Sequence, residues 1–269
     1  MGSPIITLLT DFGIMDGYVA SMKGVILNIC PDAKLVDISH LIAPHNVRSG
    51  AFVLYACYEY FPHGTIHLAV VDPGVGTERG AVAIRTGSCF LVGPDNGLFS
   101  LILRKETGWE ARRLENLCYR RSPLSSTFHG RDLFAPAAAH IARGVPFETL
   151  GPACDPISPL WSEPNIGKGE VIGEVIHIDR FGNAITNVLS ETLEKLATLE
   201  KWTITAGKFA IKSIEQTYGR VRTGEPLAVT ESTGFIEIAV NQGNAALEMG
   251  LEIGAKVTFR LSNIRNSRS

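Results

Sequence analysis

From its first residues to about residue 150 the chain alternates short apolar runs with amphipathic stretches, and this alternation limits the folds open to it more than any other feature. Runs at 5–9, 35–38, 66–71, 81–84 and 89–92 read as strands, and Asp16–Ile29, Val47–Tyr60, Asn96–Lys105 and Arg131–Ala142 read as helices between or after them. Strands that alternate with helices predict βαβ units and a mostly parallel sheet flanked by helices. In the first helix Val19, Met22, Val25, Ile26 and Ile29 recur every three or four residues until Cys30-Pro31 stops it, so one face packs on the sheet. The texture then changes. Pro152, Pro156, Pro159, Pro164, Gly167 and Gly169 crowd into 151–169 without periodicity, which reads as a linker region. Beyond it 169–178, 202–206, 226–230, 235–240 and 256–261 read as short strands, with one helix near 190–199 and glycine-bearing turns, a pattern that fits a small β-barrel. The expected fold class is therefore α/β: an N-terminal α/β domain over 1–160, a linker over 161–169 and a smaller C-terminal β-barrel domain over 170–269. The polar tail Ser262–Ser269 reads as frayed.

Composition narrows the function. With 45% apolar residues and a formal net charge of -2, the chain is neither a polyanion binder nor a polybasic membrane-surface protein, so small-molecule chemistry is expected and nucleic-acid or membrane partners are not. A strand-like Ile5-Ile6-Thr7-Leu8-Leu9 begins after four residues, with no basic and apolar leader, and no apolar run nears the roughly 20 residues that span a bilayer. A soluble, cytoplasmic protein is expected. Cys30, Cys57, Cys89, Cys118 and Cys154 are odd in number and never form a CxxC pair, so they read as buried, reduced core residues. His40, His45, His63, His67, His140 and His177 show no metal-ligand spacing, and no metal site is expected.

Four clusters carry chemistry, each with a structural alternative. Thr10-Asp11-Phe12-Gly13 follows the first strand, so Asp11 sits at the carboxyl rim of the sheet, where a carboxylate can accept both hydroxyls of a ribose; the same residue type also caps helices, and Asp16 is the better candidate for that cap. Asp72 and Arg79 flank the glycine-rich Pro73-Gly74-Val75-Gly76 between two strand-like runs. They form either an ion pair that closes a loop or part of an active site, and Gly74 and Gly76 favour the second because they let backbone approach a ligand. His129 stands in Phe128-His129-Gly130-Arg131-Asp132 where a loop enters a helix, placed to act as a base or hydrogen-bond partner; Arg131 and Asp132 read as helix-end charges. Asp179-Arg180-Phe181-Gly182-Asn183 offers a carboxylate for an ammonium, an aromatic face for a base and an amide for an adenine edge, or else is a β-turn. Glu231 to Ala246, with Ser232 near its start, is open to the same two readings.

Together with Gly93-Pro94-Asp95-Asn96-Gly97, these segments resemble, in order and as far as about residue 260, the S-adenosyl-L-methionine hydroxide adenosyltransferases, hydrolytic relatives of fluorinase and chlorinase. The resemblance implies an N-terminal α/β domain, a C-terminal β-barrel and a homotrimer that holds substrate between subunits. It further implies hydrolysis of S-adenosyl-L-methionine by water to adenosine and L-methionine, without a cofactor. By position Asp72, Arg79 and His129 look like the family's water-handling triad and Asp11 like its ribose-diol ligand. Asp179 and Ser232 look like its methionine ligands, Asn183 like its adenine-edge reader, and Phe181 and Tyr218 like its stacking aromatics.

Two departures from halogenating relatives bear on the nucleophile. Those relatives carry a longer insertion after the strand at 81–84, where this chain has only Arg85-Thr86-Gly87-Ser88, and they place a tyrosine and a small polar residue where it has Asp72 and Val75. Both features disfavour halide. Thr233 stands where some relatives have an arginine for the methionine carboxylate. The alternatives are a halide-using adenosyl transferase, which would yield a 5′-halogenated nucleoside, and a non-catalytic protein that binds adenosine or S-adenosylmethionine without turnover. A methyltransferase fits less well, because the glycine-rich nucleotide loop after the first strand is missing.

Overall fold

The computed structural model describes residues 2–156 and 162–261. The chain forms two compact units, Met1–Leu160 and Trp161–Ser269. The expected frayed tail Ser262–Ser269 and the middle of the proline-rich segment, 157–161, lie outside the described residues.

The first unit holds strands β1 (Ile5–Thr10), β2 (Lys34–Ser39), β3 (Thr65–Val70), β4 (Ala81–Arg85), β5 (Cys89–Pro94) and β6 (Glu110–Arg113), with helices α1 (Tyr18–Ile29), α2 (Val47–Tyr55), α3 (Ser100–Lys105) and α4 (Ala135–Ala142). The sheet order is β2-β1-β3-β5-β4-β6. Pairings β1/β2, β1/β3 and β3/β5 are parallel, and β4 runs antiparallel to both β5 and β6, giving the expected mostly parallel sheet with an antiparallel edge. One face carries the main core: Ile6, Leu8, Ile66 and Leu68 pack with Met22, Val25 and Ile26 of α1 and with the alanines of α4. On the other face α2 comes close because Gly50 has no side chain; a Cβ there would meet Leu98 and Val71 at 3.0 Å.

This winding builds a crevice. From β1 the chain goes to β2 on one side, then returns to β3 on the other, so strand order reverses at the β1/β3 boundary. In α/β sheets that reversal leaves an opening at the carboxyl ends of the strands. Thr10 and Val70 are register partners there, and Asp11 and Asp72 leave the sheet just beyond them.

The second unit contains β7 (Asn165–Gly167), β8 (Glu170–Ile178), β9 (Ala184–Leu189), β10 (Trp202–Ala206), β11 (Phe209–Ile211), β12 (Ile214–Glu215), β13 (Pro226–Thr230), β14 (Phe235–Val240) and β15 (Lys256–Leu261), with short helices α5 (Ser190–Glu194) and α6 (Ala245–Met249). The strand order β11-β10-β15-β8-β9-β14-β13-β12 curls until β11 and β13 approach each other, a nearly closed barrel around Trp202, Phe259, Val175, Ile236 and Ile238.

Several local expectations are corrected. The segment 165–167, read as linker, is strand β7 and pairs with β8. Helix α2 ends at Tyr55, and Tyr58–Tyr60 is a separate 3-10 turn; the helix expected at 190–199 ends at Glu194. Of the cysteines, all free, Cys30 and Cys89 are buried while Cys118 is exposed, so the reading of five core residues fails at Cys118. No helix among the described residues is long and apolar enough to cross a membrane.

Candidate active site

In the first unit Asp72, Arg79 and His129 meet. The Arg79 guanidinium grips Asp72 with both arms, Nε donating to Oδ1 at 2.8 Å and Nη2 to Oδ2, and Nη2 also reaches His129 Nδ1 at 2.9 Å. Phe134 lies under the guanidinium, 5.1 Å from Cζ to ring centroid. The carboxylate and guanidinium are nearly enclosed, with 5% and 11% of their side chains exposed. A guanidinium has donors only, so His129 Nδ1 must be the acceptor, which leaves the ring neutral with its proton on Nε2. The electrostatics agree: burial, then the Arg79 charge, push the His129 pKa below its ordinary value against the opposing pull of Asp72. Asp72 and Arg79 are thus an ion pair that closes the loop, and the same guanidinium also reaches an imidazole.

The two loops that carry these groups fit because of glycine, for a different reason than ligand approach. Gly76 has φ +77°, and a Cβ there would lie 2.5 Å from the carbonyl oxygen of Ser126, on the loop that leads to His129; a Cβ on Gly74 would lie 3.1 Å from Arg79 Cγ. The turn after β5 braces both ends of the Asp72–Arg79 loop. Asn96 Nδ2 donates to the carbonyl of Val71 at 2.8 Å, and the Asp95 N–H donates to the carbonyl of Gly80 at 2.9 Å. His129 enters a wide helical turn, Gly130–Phe134, that continues into α4.

Asp11 is not a helix cap. Its Oδ2 accepts the His45 N–H at 2.8 Å, and the N-cap of α1 is Gly17, with no side-chain cap from Asp16. The carboxylate is tied to the segment after β2. Arg131 and Asp132 are helix-end charges as expected, but Asp132 is buried: it takes a two-armed bond from Arg131 (2.7 Å each) and accepts the Ser125 N–H at 3.1 Å, anchoring the loop that approaches His129.

In the second unit Asp179, Phe181 and Asn183 share the turn between β8 and β9. Asp179 Oδ1 accepts the N–H groups of Phe181 and Asn183 at 2.9 and 2.8 Å, and Oδ2 accepts Asn183 Nδ2 at 3.0 Å. Gly182, at φ +87°, lies where a Cβ would collide with the Asn244 amide. The β-turn reading is therefore correct, and the turn still displays Phe181, which is 75% exposed. Ser232 stands on a separate turn. Asp179 leads into the Ala184–Ile238 end of the β9/β14 ladder and Ser232 lies beyond its Phe235–Leu189 end, where Ser232 Oγ and the Thr233 N–H both donate to Glu231.

Sequence reasoning assigned no role to Glu237. It is 4% exposed in the middle of β14, and the half-exposed Tyr218 donates its phenol to Glu237 Oε1 at 2.8 Å. Burial raises the Glu237 carboxyl to about 7, and the charges of Asp179 and Glu231 push the same way. A lone carboxylate inside Phe235-Ile236-Glu237-Ile238-Ala239-Val240 was the visible signal.

Comparison with known proteins bears on both units. The family model described as SAM hydroxide adenosyltransferase N-terminal domain matches residues 6–151, and that of the corresponding C-terminal domain matches 173–258. A Thermus thermophilus protein named (R)-S-adenosyl-L-methionine hydrolase is 41% identical, over 93% of this chain and 96% of its own. A fluorinase from an Actinoplanes species is 28% identical over 96% and 97%. The crystal structure of an uncharacterized conserved protein from Thermotoga maritima superposes with a TM-score of 0.87 at 36% identity, covering 95% of this chain and 99% of that one.

Proposed function

The chain belongs to the SAM hydroxide adenosyltransferase family, and from that membership we propose that it hydrolyses S-adenosyl-L-methionine at ribose C5′ to adenosine and L-methionine. The observation that carries the reading is the Asp72–Arg79–His129 contact at the carboxyl rim of the sheet, beside Asp11. The substrate's sulfonium is already a good leaving group, so the protein's task is to align a water opposite the C–S bond and accept its proton. The water oxygen bonds to C5′, the C–S electron pair returns to sulfur as a neutral thioether, and one proton leaves the water. We assign that proton to Asp72. His129 Nδ1 is occupied by Arg79 and Nε2 carries hydrogen, so the imidazole serves as the donor that orients the water, while each Asp72 oxygen keeps a lone pair beyond its bond to Arg79.

The remaining roles follow the family pattern. Asp11 takes the ribose diol, Asn183 the adenine edge, Phe181 and Tyr218 the adenine faces, and Asp179 and Ser232 the methionine end, with no resident cofactor. A homotrimer in the cytoplasm is part of the same reading; sedimentation equilibrium of the purified protein tests the assembly. Water rather than halide is favoured by the tight β4/β5 hairpin, closed by the Thr86 N–H on the Cys89 carbonyl at 2.9 Å, and by Asp72 itself.

The test is turnover of S-adenosylmethionine, each sulfonium epimer separately, in oxygen-18 water with and without chloride. Label in the adenosine 5′-hydroxyl supports the proposal. Unlabelled adenosine, or 5′-chloro-5′-deoxyadenosine when chloride is added, refutes it.

A further inference from the structure

Glu237 is expensive to keep where it is. Its neighbours across the ladder are Val229 on β13 and Ile185 on β9, and the alternating strand turns Ile236, Ile238 and Val240 to the barrel core, leaving Glu237 on the opposite face beside buried Ala239. A carboxyl buried in such surroundings is disfavoured unless something makes use of it. What it holds is Tyr218, in the short turn Tyr218–Arg220, a residue 42% exposed although its hydroxyl reaches inward to the carboxyl at 2.8 Å.

We propose that Glu237 is a positioning residue: by holding the Tyr218 phenol it fixes the ring plane on which the ligand's adenine stacks, and so sets the affinity for the adenosyl end. This rests on the reading that Tyr218 is a stacking aromatic. A half-exposed ring that turns freely must lose that freedom when a base settles on it, whereas a ring anchored through its hydroxyl has lost it on folding. The anchor has to be an acceptor that water does not reach, and Glu237 is one in either protonation state, because the neutral acid keeps a carbonyl oxygen.

The experiment is calorimetric titration of the full chain with adenosine, in the parent and in Tyr218→Ala, Tyr218→Phe, Glu237→Ala, Glu237→Gln and the Tyr218→Phe/Glu237→Ala double variant. Tyr218→Phe and Glu237→Ala should each weaken adenosine binding by roughly five- to tenfold, the factor expected for one side chain left unfixed. The double variant should be no weaker than either single one, and Glu237→Gln should bind like the parent, since its amide oxygen still accepts the phenol. If Tyr218→Ala loses affinity while Tyr218→Phe or Glu237→Ala does not, or if the two single losses add, the positioning role is overturned and the stacking reading stands. An unchanged constant for Tyr218→Ala overturns the stacking reading itself. Glu237→Gln is close to isosteric, so a loss in Glu237→Ala restored by Gln is not general misfolding.

Discussion

Arg79 stands between two acceptors, the Asp72 carboxylate and His129 Nδ1. Asp72→Ala and His129→Ala should each slow adenosine release by about a hundredfold or more while substrate binding stays measurable, the range for removing one member of a proton-handling pair; chromatographic assay at saturating substrate reads this, and undiminished turnover would refute the roles. Arg79→Met takes away the cation that helps depress the His129 pKa, so the imidazole should protonate at higher pH than in the parent. Its NMR titration shows the shift directly. Gly76→Ala combines positive φ with a collision against the Ser126 carbonyl, so it should cost more than about 1 kcal/mol and lower turnover by separating the two loops. Asp11, Asp72 and Arg79 were legible as candidates because they stand at predicted strand ends, and His129 because it stands where a loop enters a helix; their grouping as a triad came from the family resemblance. Neither the imidazole tautomer nor the bracing by Asn96 was visible, since both depend on contacts between loops distant in sequence.

Among the elements, the Asp179 carboxylate closes the β8/β9 turn, and the proposed function gives it a ligand as well. Asn in place of Asp179 keeps Oδ1 for the Phe181 and Asn183 N–H groups but loses the charge and gives up the Oδ2 bond to Asn183 Nδ2, so Asp179→Asn should retain the turn and bind both the cationic substrate and adenosine more weakly. Asp179→Ala leaves those N–H groups without their acceptor and should in addition destabilise the protein by about 1–3 kcal/mol in chemical denaturation. Strands with continuous apolar runs, such as β3 and β5, were legible. Strand β6, Glu110-Ala111-Arg112-Arg113, is a polar edge strand with no apolar rhythm, and β9 was hidden because it follows turn residues and contains Asn187. The alternating pattern predicted a mostly parallel sheet and left the direction of β4 open, with Arg85-Thr86-Gly87-Ser88 turning straight into the next strand. Three residues between β4 and β5 cannot form a crossover, so the hairpin was in principle readable from loop length.

Over the whole molecule, two buried groups give stability opposite dependences on pH. His67 is fully buried, donating to or accepting from Thr7 at 2.8 Å, and burial lowers it from 6.5 to about 4. The unfolded chain therefore binds more protons between those values, and stability is lost as pH falls from 6.5 toward 4. Glu237 is raised from 4.5 to about 7, so the folded chain binds more protons there and stability is lost as pH rises through that window. Each effect is at most about 3 kcal/mol. Relative to the parent, Glu237→Gln should gain melting temperature at about pH 8 over about pH 4.5, and His67→Gln should gain at about pH 5 over about pH 8; flat differences in scanning calorimetry would contradict both. The two-unit α/β-plus-barrel architecture was legible because periodicity changes at the proline-rich segment, whereas these burdens arise only from tertiary burial. One last consequence comes from the Asp179 turn. A carboxylate that closes a hairpin cannot be exchanged freely, because any replacement must still accept the Phe181 and Asn183 N–H groups.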